Sequence, residues 1–360
     1  MPEGPRVQGA ELKGRGAISA PEGRFAKRSV DLDPEESHLR AEMAPGTVLR
    51  EMQVRSIISH NQSPDVPFDH SINPYLGCEH GCIYCYARPA HSYLDLSPGL
   101  DFETQIFFKP GAPARLLESW EKPGYVCEPI TIGANTDPYQ PAERTTQLTR
   151  SLLELFLEHR HPVSLITKST LIERDIDLLS ELASMDLCSV AISVPTMDDE
   201  LKRIMEPRVP AASARLRTIE KLTGVDVSVS ALLAPVIPAI NDNEIETILE
   251  AVASAGARQA AYMLLRLPHE VKDLFVEWLE THFPDRSGKV MSLIRQAHGG
   301  RDYDTRFGRR HTGRGPYADL LGKRFSSACR RFGLRQGEYQ QSLDRGAFRA
   351  PGQQQLGLDL

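Results

Sequence analysis

Gly77-Cys78-Glu79-His80-Gly81-Cys82-Ile83-Tyr84-Cys85-Tyr86 decides how this 360-residue chain is read. Its cysteines follow a Cys-x3-Cys-x2-Cys spacing, with an aromatic residue, Tyr84, before the last thiol. Iron–sulfur clusters are held by cysteine thiolates, usually four. Three on one short loop can bind three irons of a cubane and leave the fourth without a protein ligand. An open iron can chelate a substrate or a cofactor. The alternative is a structural zinc on Cys78, Cys82, Cys85 and His80. Tetrahedral zinc sites usually draw on two separated ligand pairs, and the other cysteines, Cys127, Cys188 and Cys329, are isolated. The cluster is the favoured reading. Six cysteines are too sparse for a disulfide framework, and no export signal precedes them. Reduced thiols and a cytoplasmic location are expected.

Outward from this loop, the composition is that of an ordinary globular protein, 41% hydrophobic and 25% charged. No apolar run approaches the roughly 18–20 residues that span a membrane. Net charge is −6, yet eleven Lys and Arg against three Asp fall between 295 and 335, a local balance of +8. A basic stretch in an acidic chain is a candidate for polyanion binding; the alternative is a solvated helix face with structural ion pairs. Residues 1–45, rich in Gly, Pro, Arg and Glu, read as a flexible arm.

From about 70 to 283, apolar runs alternate with amphipathic ones. Strand-like runs are 105–109, 129–133, 163–167, 188–193, 226–232 and 260–265, and the entry Ile72–Leu76 reads as strand one. Leu148, Leu152, Leu155 and Phe156 recur at the helical period, as do Ile176, Leu179 and Leu182. Asn241 and Glu244 read as an N-cap with its capping-box partner. Alternating strands and helices mean βαβ units on a parallel sheet. No Gly-x-Gly-x-x-Gly or Walker A motif accompanies them. The expectation is an α/β fold, a partial (β/α)6 TIM-type barrel over 46–285 carrying the cysteine loop 77–86. The N-terminal arm precedes it, and a basic extension over 286–345 and a flexible tail over 346–360 follow. In such folds chemistry gathers at the carboxyl ends of the strands. Asn135, Thr136, Asp137, Lys168, Ser169 and Ser193 fall there, with Glu206 and Arg208 shortly after.

The cysteine loop resembles that of radical S-adenosylmethionine (SAM) enzymes. With Asp137-Pro-Tyr-Gln-Pro-Ala-Glu143, Ile166-Thr-Lys-Ser169 and Glu206-Pro-Arg208, the chain resembles the spore photoproduct lyase branch, often labelled "DNA repair photolyase", over roughly 50–335. That resemblance implies the radical SAM barrel and a [4Fe-4S] cluster on Cys78, Cys82 and Cys85. It implies SAM on the open iron, Tyr84 beside the adenine, and Lys168 and Ser193 on the carboxylate or ribose. Asn135, Asp137, Ser169 and Arg208 join this set. An electron donor such as flavodoxin or ferredoxin is implied too. The chain departs from the branch in one place. Gly133-Ala134-Asn135-Thr136-Asp137 lacks the hydrogen-donating cysteine of authentic lyases; Cys127 is at the other end of that strand, and Tyr139 is on the following turn. Three classes remain: a radical SAM enzyme on nucleic acid, reached through 295–335; one on a small metabolite or peptide; and a non-enzymatic iron–sulfur or zinc DNA-binding protein. Finally, Gln355-Leu356-Gly357-Leu358-Asp359-Leu360 resembles the hexapeptide by which polymerases and repair factors bind the DNA sliding clamp.

Overall fold

The structure, a computed structural model, describes residues 14–25, 46–337 and 343–352. Strands among them are β1 (Val48–Glu51), β2 (Ile58–His60), β3 (His70–Ile72), β4 (Tyr75–Leu76), β5 (Gln105–Phe108), β6 (Ile130–Ile132), β7 (Val163–Thr167), β8 (Cys188–Ser193), β9 (Ser228–Val236), β10 (Gln259–Leu264) and β11 (Arg335–Gln336). The large sheet has the order β11-β10-β9-β8-β7-β6-β3-β2. Its neighbours pair parallel throughout, except β2 with β3. Strands β3 and β6 to β10 lie side by side in chain order, with helices between them, which makes six β/α units of a partial barrel. Strand β8 is buried along its whole length. That is why its sequence, Cys-Ser-Val-Ala-Ile-Ser, does not alternate as a half-exposed strand would.

Several sequence expectations shift. The run 72–76 is two strands: β3 ends at Ile72, and β4 belongs to a small sheet of order β1-β5-β4. Strand β5, expected in the barrel, pairs there as well. Asn241 makes no cap hydrogen bond. Its side chain accepts from the Ile237 amide at 2.6 Å and donates to the Pro195 and Pro235 carbonyls at 2.8 and 3.0 Å. Glu244 accepts from Thr196 and from the Met197 amide, both at 2.7 Å. The pair therefore ties the ends of β8 and β9 together instead of capping a helix; buried loop amides and carbonyls compete for the same polar side chains.

Two apolar cores result. One lies between the large sheet and its helices, with Leu152, Phe156, Ile219 and Leu249 buried in it. The second lies beneath the cysteine loop and joins Cys82, Ile83 and Tyr84 to Met205, Phe275, Trp278 and Ile294. The helices Val271–His282 and Pro284–Ala297 supply its outer wall. Truncating a side chain such as Trp278 to alanine costs about 3–5 kcal/mol.

The terminal segments are less free than their composition suggests. Residues 14–25 of the expected arm pack on the cysteine loop, and Ala17 joins the second core. At the other end, Phe348 packs against Trp120, Tyr125 and His161, and the Arg349 amide donates to the His159 carbonyl at 2.8 Å. The Gln355–Leu360 peptide and the rest of the arm lie outside the described residues. Among the described residues no helix is long and apolar enough to cross a membrane.

Candidate active site

Strand β3 delivers the chain to the cysteine loop, and the loop is held from every side. Gly77 and Gly81 turn it at φ +83° and +67°, values that side-chain-bearing residues rarely adopt. The Cys78 amide donates to the Phe102 carbonyl at 2.9 Å, and the Ile83 amide to the Met205 carbonyl at 3.2 Å. Gln140 bridges the Glu79 amide and the Gly77 carbonyl at 3.0 and 3.1 Å. Arg88, fully buried, donates to the carbonyls of Cys82 at 3.0 Å and Gly81 at 3.2 Å, and pairs with the buried Glu103. Glu103 in turn accepts from the Gly16 and Ala17 amides at 3.0 and 2.8 Å. A Cβ on Gly16 would stand 1.8 Å from the Gly81 carbonyl oxygen. The strap 14–25 therefore lies directly on the loop.

Cys78, Cys82 and Cys85 line one cavity of about 450 Å³ at the carboxyl edge of the sheet. Burial raises all three thiol pKa values; Asp137 adds to the effect at Cys78 and Glu206 at Cys82, while Arg88 and Lys168 work against it at Cys85. Protonated thiols give up their protons when metal binds. Among the described residues no three His, Cys, Asp or Glu side chains converge on a point fit for one metal ion. His80 Nδ1 lies 3.3 Å from Asp137 Oδ2. Three thiols that line a cavity without converging on one point suit a multi-iron cluster, in which each thiolate binds a different iron.

The remaining expected residues divide. Tyr84, Asn135, Asp137, Lys168 and Ser193 line the cavity. Lys168 Nζ stands 5.9 Å from the centre of the Tyr84 ring. Tyr84 donates to Glu206, which pairs with the buried Arg215, and Arg215 donates to the Ser193 carbonyl at 2.8 Å. This relay fixes the ring against the end of β8. Asp137 accepts from Thr167 Oγ1 and the amides of Lys168 and Tyr139 at 2.7, 2.8 and 2.9 Å. Burial pushes its pKa up, but His80 and these donors outweigh that, and the net value is lowered. Its oxygens join the end of β6 to β7 and face His80 of the cysteine loop.

Ser169 and Arg208 stand outside the cavity lining. Ser169 Oγ caps the turn Thr170–Asp175 by accepting from the Leu171 amide. Arg208 pairs with Glu79 at 3.1 Å and donates to the Gly14 carbonyl at the same distance, so it anchors the strap. Gly133 turns at φ +92°, and a Cβ there would lie 2.4 Å from the Ile166 carbonyl oxygen. Tyr139 is buried away from the cavity in the main core. Cys127 precedes β6, at the end remote from the thiols.

Sequence reasoning missed Tyr86, Arg266, His311 and the loop 64–68, all of which line the cavity. Tyr86 follows Cys85 and was legible as a second aromatic of the motif. Arg266 and His311 come from distant segments with no local signal.

Comparison with known proteins agrees with this geometry. The sequence pattern of the Radical SAM superfamily matches residues 72–252. An uncharacterized protein of Mycobacterium tuberculosis is 34% identical over 263 residues, covering 72% of this chain and 77% of its own length. An uncharacterized protein of Methanocaldococcus jannaschii is 28% identical over 173 residues, 48% of this chain and 62% of that one. Spore photoproduct lyase complexed with dinucleoside spore photoproduct superposes with a TM-score of 0.58 at 14% identity, over 84% of this chain and 92% of that one. A cysteine-to-serine variant of the same enzyme gives 0.58 at 16% identity, over 87% and 88%. At such identity the likeness is one of fold.

Proposed function

The chain belongs to the radical SAM superfamily, and we propose that it acts on a nucleic acid, in repair or modification, with its cluster on Cys78, Cys82 and Cys85. Its cofactors are a [4Fe-4S] cluster and SAM. Bound there, the cluster would supply the electron that cleaves the SAM sulfonium C–S bond. The chain's own residues bind, orient and shield. The three thiols hold the cluster; Lys168 offers an ammonium to the SAM carboxylate; the Tyr84 ring, locked through Glu206, forms a wall; the second core keeps water from beneath the loop.

One observation carries the nucleic-acid reading. A polar groove of about 490 Å³ along the helix Pro316–Phe332, lined by Lys323, Ser326 and Arg330, shares Tyr262 and Thr312 with the lining of the cavity. Asp319 is the acid in that lining. Neither Lys323 nor Arg330 has a carboxylate partner among the described residues. A groove with two cations beside the cavity suits a phosphate backbone. The end of β6 carries no thiol, so the likeness to spore photoproduct lyase extends to fold and not to its hydrogen donor.

Anaerobic reconstitution with SAM and reductant tests the reading. Irradiated or undamaged DNA should raise the yield of 5′-deoxyadenosine, and product masses should report the altered nucleotide. Cleavage indifferent to DNA yet stimulated by a small metabolite or peptide transfers the activity to that substrate class. Absence of 5′-deoxyadenosine under all conditions overturns the enzymatic reading.

A further inference from the structure

Arg266 lies just beyond β10 and lines the cavity beside the thiols. Its guanidinium carbon sits 5.0 Å from the centre of the Tyr86 ring and 5.7 Å from that of Tyr303. Nη1 donates to His311 Nε2 at 3.1 Å, and Nη2 to the Tyr303 hydroxyl at 3.0 Å. Neither partner is a carboxylate. Burial, with Arg266 and Arg310 nearby, lowers the His311 pKa to about 4. The Arg266 Nε–H is buried and has no acceptor. Among the described residues no carboxylate pairs with this side chain.

That is unlike the other inward-facing arginines. Arg88 faces Glu103, Arg174 faces Asp175, Arg215 faces Glu206 and Arg310 faces Asp65. Arg266 is half-buried, and a guanidinium partly withdrawn from water is favoured by an anion or full hydrogen bonding. The cavity's own acids are engaged elsewhere, Asp65 by Arg310 and Asp137 by Thr167 and the Lys168 amide. Lys168 also lines the cavity without a carboxylate partner among the described residues. Two cations without a salt-bridged carboxylate thus line one largely apolar cavity, and Lys168 also feels the buried Glu206. The role proposed above for Lys168 on the SAM carboxylate leaves the second cation for the substrate.

We propose that Arg266 is an oxyanion receptor for the substrate, and that the oxyanion is a phosphodiester. A planar guanidinium that lines the cavity, held by His311 and Tyr303 and paired with no carboxylate among the described residues, suits an oxyanion such as a phosphate or carboxylate. The Tyr86 and Tyr303 rings fix that guanidinium, and Tyr86 follows Cys85 directly, so a phosphate held there brings its nucleoside to the cluster loop. The choice of phosphodiester rests on the nucleic-acid reading above, through the groove with Lys323 and Arg330 that shares Tyr262 and Thr312 with the same cavity.

The test uses the full-length, cluster-loaded protein with SAM bound. The probes are the dinucleotide thymidylyl-thymidine, its uncharged methylphosphonate analogue, and inorganic phosphate. R266Q should raise the dissociation constant of the dinucleotide roughly 10- to 100-fold, as loss of a charged hydrogen bond implies. R266K should fall between R266Q and the parent. The methylphosphonate should bind parent and R266Q alike, with iron content and SAM affinity unchanged. A parent protein that ignores the dinucleotide but binds phosphate through Arg266 retains the receptor and sinks the nucleic-acid reading. R266Q that binds both the dinucleotide and phosphate as the parent does overturns the receptor, as does equal weakening of the methylphosphonate or a loss of SAM affinity.

Discussion

Cys78, Cys82 and Cys85 bring thiols that burial keeps protonated into a single cavity, while Cys127, Cys188 and Cys329 lie elsewhere. Alanine at any of the first three should abolish the brown colour and the about four irons per chain of a cubane. Alanine at Cys127 or Cys329 should leave both intact, and iron analysis with visible absorbance checks this. Lys168→Ala should raise the SAM dissociation constant roughly 10- to 100-fold, since a charged hydrogen bond contributes about 1.5–3 kcal/mol, and calorimetric titration reads it. Two scaffold carboxylates predict a pH effect. Burial pushes Asp137 and Glu206 up, but His80 and neighbouring donors for Asp137, and Arg215, Lys168 and Tyr84 for Glu206, leave both lowered. Each then binds its proton more weakly folded than unfolded. Their stabilisation is complete above the ordinary carboxylate range of about pH 4 and is lost as the pH falls through the lowered folded values. The melting temperature should fall on acidification below about pH 4. D137N should flatten that fall and lower the value at pH 7; an unchanged acid limb would count against the scaffold role of Asp137.

At the scale of elements, the cysteine loop depends on a strap from the far N-terminal side. Glu103, at 0% exposure, ties Arg88 to the amides of Gly16 and Ala17. Breaking a buried ion pair leaves one charge uncompensated, which costs about 3–5 kcal/mol. E103Q should therefore lower thermal stability by roughly that amount and reduce cluster retention. G16V offers a more local probe, because its Cβ meets a backbone carbonyl that cannot swing aside. It should lift the strap and speed bleaching of the cluster in air, measured as loss of visible absorbance, with the barrel still folded by circular dichroism. Bleaching at the parent rate would show that the strap is packing alone.

For the molecule as a whole, the basic stretch 295–335 is partly neutralised by the fold. Arg295 pairs with Asp302, Arg306 with Asp304, Arg310 with Asp65 and Arg324 with Glu246. The cations without a salt-bridged carboxylate among the described residues include Arg309 and Arg314, and Lys323 and Arg330 in the groove. On duplex DNA the logarithm of affinity falls against the logarithm of salt with a slope of about −0.9 per phosphate neutralised. Replacing these four with alanine should flatten the slope by up to about 3–4, whereas R310A should chiefly lower stability through its lost pair with Asp65. Binding that is absent at low salt, or insensitive to salt in the parent protein, would remove the nucleic-acid partner.

The sequence by itself determined the cluster loop and the class of fold. A Cys-x3-Cys-x2-Cys spacing is a local pattern, and so is the alternation of β8-type apolar runs with helical periods. The rule that chemistry sits at the carboxyl ends of parallel strands then reached Asn135, Asp137, Lys168 and Ser193. Only tertiary structure decided the division of labour among them: Asp137 spends its oxygens on β7 and the cysteine loop, Ser169 caps a turn, and Arg208 anchors the strap. It also decided which arginines are neutralised. Arg266 meets His311 across 45 positions and Gly16 meets Glu103 across 87. No propensity or period acts over such separations. Burial against distant segments fixes which side chains find a partner and which remain for a ligand.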